Sequence, residues 1–91
     1  MDTIKKLFNP LKVFKPTDKY ALQHAIEHNK HTNIPWDVSN ITDMSELCNN
    51  ITIGEDVKMS NWDVSNVTDM REMFKNAKGF YQNISSWDVS K

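Results

Sequence analysis

A chain of 91 residues with a formal net charge of −1 and 38% apolar residues holds at most one domain, with a thin core. The near balance of 11 basic and 12 acidic side chains gives no general attraction for nucleic acid, whose binders carry a basic stripe. Cys48 is the only cysteine, which excludes an intramolecular disulfide and a cysteine-rich zinc site, and no apolar run reaches the length of a membrane span.

In chain order, Ile4, Leu7 and Phe8 give residues 2–9 the pattern of one amphipathic turn. The opening lysines are not followed by the apolar run of a secretory signal, so an intracellular location is the default expectation. Residues 11–15 read as extended, and Pro16 disfavours helix just before it. Thr17 or Asp18 then offers an oxygen to cap a helix running to about Asn29, with Leu22, Ala25 and Ile26 on its apolar side. Residues 1–33 are expected to form an N-terminal strand-and-helix cap, and residues 34–91 a repeat region.

The repeat is marked by Trp-Asp-Val-Ser at residues 36, 62 and 87. Aligning Trp36 with Trp62 gives ten identities in fifteen positions, and Ile41/Val67 and Leu47/Met73 are conservative. The third copy, from Trp87, has just begun at Lys91. Alternation in Trp62-Asp63-Val64-Ser65 is that of a half-buried strand. Thr68 or Asp69, with Glu72 three residues after Asp69, then reads as a helix start, and Met70, Met73, Phe74 and Ala77 follow at i, i+3, i+4 and i+7. Gly79 would end that helix in the left-handed conformation, with Phe80 folding back on it. Met44, Leu47, Cys48 and Ile51 repeat the plan. A strand plus a short helix in each unit of about 25 residues predicts an α/β, leucine-rich-repeat-like solenoid of about two coils behind a helical cap.

The motif W-D-V-S-N-V-T-D-M-R-E-M-F-K-N-A-x-x-F-x-Q-x-I-x-x-W-D-V-S resembles the 25 to 26-residue repeat of the mycoplasma lipoprotein and Listeria surface-protein family. That family is related to BspA-like leucine-rich repeats and also occurs in large DNA viruses. F-K-P-T before an amphipathic helix is similar to the segment that often precedes its first repeat, so the resemblance runs from about residue 11 onward. It implies a surface-exposed repeat module for adhesion or protein binding, without established catalytic residues.

Trp36, Trp62 and Trp87, at matching places, are expected to stack in the core, with Met44, Met59, Met70 and Met73 as adaptable filler and Cys48 as a buried thiol. The residues alternating with them are the candidate partner-binding set: Asp37, Ser39, Asp63, Ser65, Asp88 and Ser90, a strip of carboxylates and hydroxyls along one face. The competing reading is that these Asp and Ser side chains satisfy backbone groups at turns. Their spacing converges too few oxygens for a calcium site. His24, His28 and His31 lie opposite the apolar side of the cap helix, without His-Glu-x-x-His or a fourth ligand, and read as a solvated face. Lysines 5, 6, 12, 15 and 19 read as part of the cap, with membrane attachment the weaker alternative. The sequons at Asn40, Asn50, Asn66 and Asn83 matter only in a secreted chain.

No catalytic residue, metal or cofactor is expected. The function expected is a non-enzymatic module for protein–protein interaction. Self-association through the C-terminal strand is one route, because Trp87 and Val89 would leave an uncovered edge. The alternatives are an adhesin-like surface protein exported by an unrecognised route and a truncated relic of a longer repeat array.

Overall fold

The computed structural model describes residues 12–79 and 82–89; the expectations for residues 2–9, Phe80 and Ser90 lie outside these. Its single helix among the described residues, α1 (Lys19–Glu27), begins where the sequence offers a cap. The Asp18 carboxylate accepts the Ala21 N–H at 2.9 Å, satisfying one of the amides that a helix start leaves unpaired. Leu22, Ala25 and Ile26 are buried on one side, as the spacing predicts. The helix stops two residues before the expected Asn29, which takes a positive φ of 55°.

The expectation of a strand-plus-helix solenoid is overturned. Among the described residues there is no sheet, only three isolated parallel bridges, Phe14 with Trp36, Asp43 with Asp69 and Thr52 with Lys78. Neither Met44–Ile51 nor Met70–Ala77 is helical; each is a run of tight turns. In the first, Leu47 N donates to Met44 O, Asn49 N to Glu46 O and Ile51 N to Cys48 O, at 3.1 to 3.2 Å. Met73, Lys75 and Ala77 repeat this to Met70, Glu72 and Phe74. The third residue of the outer turns has positive φ: Glu46 58°, Asn50 59°, Glu72 55° and Asn76 58°. A β-turn of the type II kind requires that conformation there, and it ends any α-helix.

The helical period misleads for a geometric reason. Two consecutive four-residue turns point their first and last residues inward, which are positions i, i+3, i+4 and i+7, the same set that lines one side of a helix. Met44, Leu47, Cys48 and Ile51 are accordingly all buried. The turn run also frees every second amide, and these bond the neighbouring unit. Met44, Glu46, Cys48 and Asn50 donate to the carbonyls of Asp69, Arg71, Met73 and Lys75 at 2.8, 2.9, 2.8 and 3.0 Å. A short isolated helix would spend those amides internally and still carry a costly nucleus.

The 26-residue register holds at both Asp43/Asp69 and Thr52/Lys78, so the change to 25 falls at the glycines. Gly79 has φ 73°, and a Cβ there would lie 2.9 Å from the Ile53 carbonyl oxygen. The tryptophans stack as expected: ring centroids are 6.1 Å apart between Trp36 and Trp62 and 5.9 Å between Trp62 and Trp87, with interplanar angles of 21° and 11°. Trp62 is buried and its two neighbours are partly so. Each such aromatic pair adds roughly 0.5–1.5 kcal/mol beyond its buried area. Phe14 packs edge-on to Trp36 at 5.1 Å and prolongs the stack.

Candidate functional site

The Asp and Ser of the Trp-Asp-Val-Ser motif do not alternate along a strand. They fold onto one another at the head of a turn. Asp37 Oδ1 accepts the backbone N–H of Ser39 at 3.0 Å and also its hydroxyl, and Asp63 does the same with Ser65 at 3.0 and 2.6 Å. This is an Asx turn, in which a short carboxylate replaces a backbone acceptor. The next turn follows at once, Ile41 N donating to Val38 O and Val67 N to Val64 O. The two carboxylates are close enough that the charge of Asp37 acts against ionisation of Asp63, although the hydroxyl and amide of Ser65 together hold Asp63 below the usual carboxylate range. Asp37 is lowered in the same way, first by the Ser39 hydroxyl and then by its amide, and Lys15 lies 3.6 Å away. Asp88 is exposed at the matching place in the third copy, and its partner Ser90 lies outside the described residues.

A second row escaped sequence reasoning. Asp43 Oδ1 accepts Ser45 N at 2.8 Å and Ser45 Oγ at 2.6 Å, and Asp69 Oδ1 accepts Arg71 N and Nε at 3.0 Å each. Arg71 Nη2 closes a two-point grip on Asp69 Oδ2 at 2.8 Å, which holds that carboxyl down to about 2. Lys19 on α1 reaches across to Asp43 Oδ2 at 3.1 Å. The signal was present in Thr-Asp-Met, where an Asp expected to cap a helix caps a turn instead.

The remaining candidates disperse. Among the described residues no group of three His, Cys, Asp or Glu side chains is placed to hold a metal ion. His24 and His28 touch at 4.5 Å between ring centroids, whereas His31 stacks on Phe14. Cys48 is fully buried, and burial pushes its thiol up to about 12. A cleft of about 320 Å³ opens beside Trp36 and Trp62, with Ile34, Pro35, Lys58 and Asn61 on its walls. The indole N–H of Trp36 donates to His31 O at 2.7 Å and that of Trp87 to Met59 O at 2.8 Å, but the buried N–H of Trp62 has no acceptor. No helix among the described residues is long and apolar enough to cross a membrane.

The family model described as "Mycoplasma protein of unknown function, DUF285" matches residues 17–91. The chain belongs to this family. That span takes in α1, both turn runs and all three Trp-Asp-Val-Ser copies. No curated protein and no solved structure matches the chain.

Proposed function

We propose that this chain is a non-enzymatic module that binds another protein, with the Trp-Asp-Val-Ser carboxylates facing a basic partner. The observation that carries this reading is the pairing of Asp37 and Asp63. Each is fixed by an identical Asx turn with one oxygen tied down inside the turn, and the two stand next to each other by charge. A pre-ordered carboxylate row costs little further side-chain entropy on binding. Asp88, exposed at the matching position, extends the row.

The test is capture of partners by the wild type against Asp37→Lys and Asp63→Lys, with tryptophan fluorescence verifying that both variants keep the ring stack. A partner retained by the wild type and lost by both variants supports the reading. Equal recovery of every partner overturns it.

The kinship to Listeria surface-protein repeats supports a second reading, an adhesin-like surface role. Labelling of intact cells discriminates it, since an adhesin is reached by an impermeant reagent and an internal module is not.

A further inference from the structure

The paired units are polar from end to end. In the first unit the amides of Met44, Glu46, Cys48 and Asn50 all point to the second, whose carbonyls accept them. The carbonyls of the first unit point the other way, toward α1, and the helix covers them with side chains. Lys19 Nζ donates to Ser45 O at 3.2 Å and Gln23 Nε2 to Leu47 O at 3.0 Å. The second unit repeats the same turns with the same positive φ angles, so its amides face away from the first. Those of Met70, Glu72 and Asn76 donate to no carbonyl among the described residues. Met70, at the place where Met44 is fully buried, is only partly covered.

We infer that the amides of Met70, Glu72 and Asn76, with the Met70 side chain beside them, form a docking strip for the backbone of another polypeptide. The segment that fits carries carbonyls at alternate residues of the same turn run. The observed interface between the two units defines this complement: what Asp69 to Lys75 offers to the first unit, the incoming segment offers to the second. Two copies of this chain do not satisfy it. The acceptor side of a second copy is held by its own Lys19 and Gln23, and two donor strips would place N–H against N–H. The inference rests on the reading of the chain as an interaction module, but uses backbone amides remote from the Asp37 and Asp63 carboxylates.

The probe is a synthetic peptide with the sequence of residues 68–79, titrated into the full ¹⁵N-labelled chain and followed by amide NMR. The expected result is a saturable downfield shift of the Met70, Glu72 and Asn76 amides, with slowed solvent exchange, and no change with a scrambled peptide. Absence of a saturable change at these three amides overturns the inference, as does an equal response to the scrambled peptide. A concentration-dependent change without peptide also overturns it, because a second copy then occupies the strip. Shifts at the strip combined with partner capture that ignores Asp37→Lys and Asp63→Lys would sink the acidic-row reading alone; the reverse outcome would sink the strip alone.

Discussion

Replacing Glu72 with glycine tests the turn run by the sign of its effect. Glu72 sits at φ 55°, a conformation that costs a side chain with a Cβ roughly 1–2 kcal/mol. Glycine removes that cost but loosens the unfolded chain by about 0.4–1 kcal/mol. The ion pair given up, Lys75 Nζ to Glu72 Oε1 at 3.3 Å, is exposed on both sides and contributes little. The net expectation is stabilisation by about 0.5–1 kcal/mol, or several degrees in Tm for a domain of this size. If residues 70–77 were a helix, the same change would destabilise by about 1 kcal/mol, because glycine is the poorer helix former. Urea unfolding followed by tryptophan fluorescence measures the difference. A loss of stability in Glu72→Gly, repeated in Glu46→Gly, refutes the turn assignment.

Gly79→Ala is expected to destabilise by about 1–3 kcal/mol, since it adds a left-handed penalty to a Cβ placed 2.9 Å from a backbone oxygen; an unchanged urea midpoint refutes it. Met44→Ala, at a fully buried position, is expected to cost about 2–5 kcal/mol by the same assay, and a cost below about 1 kcal/mol would show that the site collapses or is not core. Cys48, with its thiol at about 12, is expected to resist alkylation at pH 8 in the folded chain and to react at an ordinary thiol rate in denaturant; equal rates refute its burial. Asp37, Asp43, Asp63 and Asp69 are all held below the usual carboxylate range in the fold, so the stability they contribute is present above about pH 4 and lost as the pH falls toward about 2, the value of Asp69. The urea midpoint should therefore drop over that interval, and a flat profile contradicts the Asx turns as described.

What was legible in the sequence was what depends on side-chain inventory. The ten identities placed Trp36 over Trp62, and an indole at the same place in each unit has nowhere better to pack than on its neighbour. Asp18 and the spacing of Leu22, Ala25 and Ile26 were enough for α1. Met44, Leu47, Cys48 and Ile51 were rightly read as one inward face, but the face did not identify the backbone that makes it. The deciding signal was absent, because glutamate rather than glycine occupies the left-handed positions at 46 and 72. Asp37 and Ser39 posed a similar ambiguity, since an Asp-x-Ser spacing suits both a strand edge and an Asx turn. Only the bonds from Ser39 to Asp37 separate the two.

A unit built from turns depends on its neighbours in a way that a helical one does not. A helix closes its own hydrogen bonds, whereas here four amides of the first unit find acceptors only in the second. With a thin core, those bonds and the ring stack carry much of what specifies how one unit sits on the next. The same dependence gives the arrangement a direction, because each unit presents donors on one side and acceptors on the other. α1 resolves the acceptor side with a lysine and a glutamine, two side chains that bring N–H donors without a competing backbone. Lys19 serves twice, since the ammonium that covers Ser45 O also pairs with Asp43, and that hydrogen bond raises its own proton affinity. The helix is thereby matched to the first turn run at named atoms, and the remaining side, with its row of outward amides, is where the chemistry of this molecule is left open to another backbone.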